Sequence, residues 1–484
     1  MKRQTILILI LLFAVVAVIQ LAIPSFRDFE NDDGYVTFVI ARNIARGDGF
    51  SYNAGEFTSG STFLWPVILS VVYTFVGDSL PIAAKVFSML LTCLSIYLAF
   101  LITLKISNKE KVALIVALLL TINPWINMWA SAAADTMLFT TVTLLAIYLY
   151  VTNKEKSAVI MSSLSYLARS EGGFLFLLIL FHIFVKDVIA RNNFRKIIFK
   201  NIAYLLVFGL IISPWVLMIY TNEGNLFPKA FLTKKVMYEY FATTLGPIKF
   251  SHIFIMDMIM IMPIVSGVFI LALLTRLNRK SLIKNDAILF LWPVVSIFSH
   301  VFISYSSTAH RYIMPLLPAI IISVFMLMLD MKKMKIDVIK LFAIMLILAL
   351  PIQYAILGPK LASINKDSYS HFEISEWIED NIPENANVAI GELGIIKWET
   401  ERYYYDVAGI VDEPSVVTEN IDGFVNYIRD NKIDYIINPV KYSSKNNGDE
   451  RVKIKYSILT LSEILNLSGV EWGVYTTENI LSSS

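Results

Sequence analysis

The chain has 484 residues, 56% hydrophobic and 17% charged, with a formal net charge of +2. Soluble domains carry about 25% charged residues, so the composition excludes an ordinary soluble globular protein, and the small net charge argues against a nucleic-acid binder. The single cysteine, Cys93, excludes an intrachain disulfide framework.

The apolar residues come in continuous blocks without the alternation of a β-barrel, so they read as membrane-spanning helices whose backbone groups are satisfied internally. A block of about 20 residues at about 1.5 Å rise crosses about 30 Å of hydrocarbon. Lys2 and Arg3 precede the first block, 6–23, which is long for a signal-peptide core and lacks a small-x-small cleavage site, so it reads as an uncleaved span. Ten further spans follow at 81–104, 112–129, 136–152, 157–170, 172–185, 201–220, 252–275, 286–305, 311–329 and 339–357. The apolar stretch 61–76 is short and broken by Pro66.

Basic loops fix the expected orientation. Loops 105–111, 153–156, 186–200, 276–284 and 331–340 are all rich in Lys and Arg, the mark of cytoplasmic loops. They fall on one side together with Lys2 and Arg3 only if 61–76 lies at the interface and does not cross. The expected topology is then a cytoplasmic N-terminus, with 24–80, 221–251 and the polar tail 358–484 outside the membrane. The fold class expected is an α-helical polytopic membrane protein, with a transmembrane domain over 1–357 and a small extracytoplasmic α/β domain over 358–484. Within the tail, 372–381 and 424–430 have helical spacing, and 388–390 and 434–438 read as strands.

Ionisable residues within spans cost about 2.5–3.5 kcal/mol at the helix centre and mark functional positions. Under this topology Lys85, Asp135, Arg169, Glu171, Asp257, His300, His310 and Arg311 all sit at outer span ends, with His182 alone near an inner end. Taken singly, each is as well explained by interfacial solvation. Their shared side points to a polar cavity opening outward. Asp32 and Asp33 lie just beyond the first span, ahead of Tyr35, Phe38, Val39 and Arg42 at helical spacing, the pattern of an amphipathic helix lying on the membrane. A carboxylate at that position suits general-base work on a hydroxyl; a solvated pair at a helix end is the plainer reading. Arg311 suits paired N–H bonds to a phosphate, or snorkelling. Lys229, Lys234 and Lys235 lie in an outer loop, against the positive-inside trend, and suit an anionic partner.

The segment from Asp32 through Phe50, with Tyr52-Asn-Ala-Gly55 and Ser59-Gly-Ser-Thr-Phe-Leu-Trp65, resembles the first outer loop of the GT-C glycosyltransferases, closest to the terminal arabinofuranosyltransferase-like and ArnT/protein-mannosyltransferase-like branch. Ala134-Asp135-Thr136, Arg169-Ser-Glu-Gly172, Leu226 to Lys234, His310-Arg-Tyr-Ile-Met-Pro-Leu-Leu-Pro318, Trp377 to Ala386 and Tyr405 to Asp412 resemble further family motifs in the same order. Departures are Ser170 in place of Pro, Lys229 and Ala230 in place of Asn and Thr, and Asp135 in place of Glu. The resemblance implies an integral plasma-membrane enzyme that transfers a sugar from a polyprenyl-phosphate donor to a glycan, lipid or protein acceptor on the outer face, with inversion. It implies Asp32 or Asp33 as base, Arg311, His310, Lys234, Arg169 and Glu171 at the donor, and no certain cofactor; a divalent metal, if used, would fall to Asp32 and Asp135. The competing classes are a transporter or flippase of lipid-linked saccharide, which would place polar groups near the midplane and show paired repeats, and a non-catalytic membrane scaffold.

Overall fold

The computed structural model describes residues 3–60, 62–233, 235, 263–277, 284–303, 309–330, 336–407, 421–440 and 459–481. In chain order the helices are α1 Arg3–Ala22, α2 Pro24–Arg27, α3 Asp32–Arg46, α4 Leu64–Val76, α5 Leu80–Ser107, α6 Glu110–Thr121, α7 Pro124–Ser131, α8 Thr136–Val151, α9 Glu155–Ala168, α10 Gly172–Ile189, α11 Phe194–Glu223, α12 Pro263–Leu277, α13 Ile288–Ile303, α14 Ala309–Ile313, α15 Leu317–Asp330 and α16 Ile336–Asn381. The tail adds β1 Val388–Ile390, α17 Ile395–Thr400, β2 Tyr404–Asp406, α18 Ile421–Asp430, β3 Tyr435–Pro439, β4 Thr460–Leu467, β5 Val470–Thr476 and α19 Glu478–Leu481.

Among the described residues six helical stretches are long and apolar enough to cross a membrane, or seven if α6 and α7 count as one bent span. The predicted spans 136–152, 157–170 and 286–305 correspond to helices of 16, 14 and 16 residues. Part of the predicted span 252–275 lies outside the described residues. Helix α4 has 13 residues, about 20 Å at the α-helical rise and short of the hydrocarbon thickness.

The chain divides into two compact units, one of Met1–Arg27, Ala84–Met218 and Tyr240–Pro359, the other of Asp28–Ala83, Ile219–Glu239 and Lys360–Ser484. The first is a helical bundle. Its sharpest local feature is the 56° bend between α6 and α7. Pro124 at the start of α7 cannot continue the α6 hydrogen-bond ladder, and a membrane leaves no water to take up the freed groups. Asn123 caps α7 by accepting the Ile126 N–H at 3.0 Å, and Asn127 Nδ2 donates to the freed Thr121 and Asn123 carbonyls at 2.9 Å each. Gln20 of α1 donates to the Asn127 carbonyl at 2.8 Å and accepts from Ser131 at 2.6 Å, closing a buried polar network.

The second unit holds α3, α4 and the tail. Its sheet runs β2-β1-β3-β5-β4, with β1 parallel to both β2 and β3 and the β3-β5-β4 side antiparallel. Phe424 and Ile428 of α18 pack with Ala389, Ile436 and Tyr475 of the sheet, together with Ile433, Leu459 and Ile480, as one apolar cluster. The predicted strands at 388–390 and 434–438 and the helix at 424–430 are present. The stretch 372–381 is the end of the single long helix α16.

Helix α3 departs from the sequence expectation of a helix lying on the membrane surface. Tyr35, Phe38, Val39 and Arg42 are all buried. Tyr35 and Phe38 meet Trp398 edge-on. The Arg42 guanidinium stacks 4.5 Å above the same ring and donates to the Trp398 and Lys397 carbonyls and to Glu401. The apolar face of α3 is therefore spent on the tail, which the spacing of residues within α3 does not reveal.

Candidate active site

The acidic pair occupies the first turn of α3, following Asn31 in extended conformation. Two carboxylates at a helix N-terminus are favoured by the macrodipole, but their surroundings differ. Asp32 is half-buried, and both of its oxygens are engaged by the tail. Oδ2 accepts the Gly394 N–H at 3.0 Å and Oδ1 accepts the Ile395 N–H at 2.8 Å, so Asp32 caps the start of α17. His371 Nδ1, on the last turns of α16, lies 3.3 Å from Oδ1. Burial penalises the Asp32 charge, but His371 and the two backbone donors outweigh it and hold the carboxyl below its usual range. Burial likewise opposes charge on His371, and the facing carboxylates Asp32, Glu392 and Asp367 reverse that and raise it. Asp33, one residue on, is exposed.

Close packing fixes this junction. Gly394 sits so near the Asp32 backbone that a Cβ there would overlap the Asp32 carbonyl oxygen. Gly391 donates to Asn438 Oδ1 at 2.7 Å, so Glu392 lies between two anchored glycines. Donor atoms of Asp32, His371 and Glu392 all fall within 4.8 Å of one another. His371 and Glu392 are the residues that sequence reasoning missed. His371 is 339 positions from Asp32, and no local spacing reports such a pairing.

In the bundle unit the predicted Asp135, Arg169, Glu171 and Arg311 come together with His300. Asp135 is 1% exposed, accepts from Arg311 at 2.9 Å and pairs with Arg169 at 3.7 Å. Arg169, 4% exposed, also donates to Glu171 at 3.0 Å and lies over the Tyr312 and Phe139 rings, and Glu171 faces His300 at 3.8 Å. Two guanidiniums against two carboxylates leave this cluster formally neutral, the arrangement a buried charge requires. The Arg169 Nη1 facing Asp135 makes no hydrogen bond. Asp135, held between two cations, is poorly suited to a metal ion. Lys234 and Asp257 lie outside the described residues, as does the side chain of His310, whose backbone belongs to α14. Lys229 belongs to the other unit, where it faces the buried Glu223 at 3.9 Å; Ser59 donates to that same carboxylate through both its N–H and its hydroxyl at 2.8 Å.

The fold matches solved structures over almost its full length. ArnT from Cupriavidus metallidurans bound to undecaprenyl phosphate superposes with a TM-score of 0.55 at 12% identity, covering 96% of this chain and 97% of that one. The apo form of the same protein gives 0.53 at 12%, covering 98% of each chain. The Archaeoglobus fulgidus oligosaccharyltransferase tethered to an acceptor peptide gives 0.58 at 12%, covering 99% of this chain and 74% of that one. The chain has the GT-C fold. A family model described as a domain of unknown function, DUF8728, matches residues 362–475, the stretch that carries His371, Glu392 and most of the sheet. No curated protein sequence matches.

Proposed function

We propose that this protein is a membrane glycosyltransferase that takes a sugar from a polyprenyl-phosphate carrier and transfers it, with inversion, to a glycan, lipid or protein hydroxyl outside the cytoplasm. The observation that carries the reading is the GT-C fold over nearly the whole chain, joined to an acidic pair at the start of α3. That ArnT was solved with undecaprenyl phosphate and the oligosaccharyltransferase with a tethered acceptor peptide favours a lipid-linked donor and a separate acceptor.

Asp33 is the general base. Asp32 has both oxygens committed to backbone donors, whereas Asp33 is exposed to an incoming hydroxyl. The proton passes from the acceptor hydroxyl to Asp33. The acceptor oxygen bonds to the anomeric carbon as the bond from that carbon to the phosphate oxygen breaks, and the electron pair leaves with the phosphate. A positioned base contributes about 10²–10⁴ in rate. The departing phosphate is assigned to Arg311, with Arg169 and Glu171 in the same charged cluster, and the sequence resemblance adds His310 and Lys234 as donor-binding residues. Arginine suits the role because its fork delivers paired N–H bonds to phosphate oxygens.

The test is a deletion strain whose surface glycans and glycolipids are profiled by mass spectrometry. A sugar missing on deletion should return with the wild-type gene and not with Asp33→Asn. An unchanged profile on deletion would remove the transferase reading.

A further inference from the structure

We propose that the turn joining α10 to α11 binds the headgroup of an anionic phospholipid. Three exposed cations stand there close together in the chain, Arg191, Arg195 and Lys196. A basic loop by itself marks only orientation. This one differs in how its neighbouring acids are used. Glu155 faces Lys186 at 3.2 Å and Lys200 at 2.7 Å, and Asp187 faces Lys200 at 3.0 Å. The two carboxylates thus neutralise the two half-buried lysines. Among the described residues Arg191, Arg195 and Lys196 enter no ion pair, so their charge stays uncompensated at one turn.

The turn is held in place before any ligand arrives. The Arg191 N–H donates to the Val188 carbonyl at 2.9 Å and the Asn192 N–H to the Asp187 carbonyl at 3.2 Å, the pattern in which a helix closes on a left-handed residue. That residue is Arg191, with φ of 56°, where glycine or asparagine is usual. The Asn192 side chain donates to Asp187 Oδ1 at 3.0 Å. Asn193 then caps α11 by accepting the Arg195 N–H at 3.0 Å and the Lys196 N–H at 3.4 Å. Those backbone donors are occupied, so the site consists of the three side chains. An ordered turn loses less entropy on binding than a loose one.

The surface beside the cations fits the rest of a lipid. Arg195, Phe199, Ile202 and Leu206 follow one another along α11 at helical spacing, so they share one stripe. The Arg195 guanidinium lies 5.6 Å from the Phe199 ring centroid. Phe199, Ile202 and Leu206 are 60%, 45% and 68% exposed. The stripe runs from a charge into an apolar face, on a helix long and apolar enough to cross a membrane. A phosphodiester at Arg195 with acyl chains along Phe199 to Leu206 matches that order of charge and apolarity. A soluble phosphate ester would use the cations and leave the stripe uncovered. Lys and Arg clustered beside a membrane-spanning helix attract anionic headgroups.

The site is tested on the full chain in detergent, apart from the transfer reaction. Dioleoyl phosphatidylglycerol, dioleoyl phosphatidylcholine and soluble glycerophosphate are titrated separately, with binding read by native mass spectrometry and by the shift in melting temperature. A cation near an anionic headgroup is worth about fivefold in affinity, so wild type should prefer phosphatidylglycerol to phosphatidylcholine by at least that factor and melt higher with it. Arg191→Gln, Arg195→Gln and Lys196→Gln together should abolish the preference. Lys105→Gln, Lys109→Gln and Lys111→Gln together remove the same charge from another basic loop and should keep it. If the first triple variant does not fold, Arg195→Gln and Lys196→Gln are read singly, and a preference unchanged in both overturns the assignment. So does a wild type without preference, an equal loss in both triple variants, or an equal rise in melting temperature with glycerophosphate.

Discussion

Asp32 and Asp33 are adjacent in sequence, and their substitutions are expected to fail in different ways. Asp32→Asn replaces a charged acceptor of two backbone N–H groups; hydrogen bonds to a charged group are worth about 1.5–3 kcal/mol each in place, so a lower melting temperature is expected. Asp33→Asn should lose about 10²–10⁴ in transfer rate with a smaller fall in melting temperature than Asp32→Asn, since Asp33 is exposed. Equal melting losses in both variants would reverse this division of roles. Lys397 supplies a pH test in the same unit. Burial first, then the neighbouring Arg42 charge, lowers its pKa from 10.5 to about 8. Because the folded value lies below the unfolded one, the unfolded chain binds more protons between about pH 8 and 10.5, so stability rises with pH through that window. Below about pH 8 the full cost of charging the buried amine, roughly 3 kcal/mol, is present. Across that window the melting temperature of wild type should climb relative to Lys397→Met; parallel curves would show that Lys397 is not the group responsible.

At the scale of elements, close approach decides more than propensity. Gly172 opens α10 where a Cβ would overlap the Ser165 carbonyl of α9. Gly172→Ala must therefore separate two packed helices, and overpacking of this kind costs about 1–3 kcal/mol. A drop in melting temperature is expected without loss of the α3–α17 junction, which belongs to the other unit. A Gly172→Ala variant as stable as wild type would mean that the two helices part freely. The strand pair β4–β5 shows where sequence reading fell short. Ser468 and Gly469, with φ of 46° and 70°, form a two-residue hairpin turn of the kind that suits right-twisted strands. The turn signal was present, but β4 is mostly exposed and lacks an apolar face to announce a strand.

At the scale of the whole molecule, the orientation inferred from basic loops is open to direct measurement. In a chain with Cys93 replaced by Ser, Glu384→Cys on the tail should react with a membrane-impermeant maleimide in intact cells. Lys156→Cys, in a basic loop, should react only after permeabilisation. The reverse pattern would invert the topology and move Asp33 to the cytoplasmic side, where a transfer outside the cell could not use it.

The sequence by itself determined the membrane class and the resemblance carried by motif order, because apolar block length and motif order are local properties of the chain. It also marked β1, α18 and β3, whose residues carry their own periodicity, and it grouped Asp135, Arg169, Glu171 and Arg311 as charged residues at span ends. Only the tertiary structure separated Asp32 from Asp33. Both are acidic residues in one helical turn, and what distinguishes them is the tail, which delivers two backbone donors, His371 and Glu392 to Asp32 from more than 300 positions away. Such a distinction rests on burial and on the donors that reach Asp32 from the tail, and that is a property of packing that no spacing along the chain encodes.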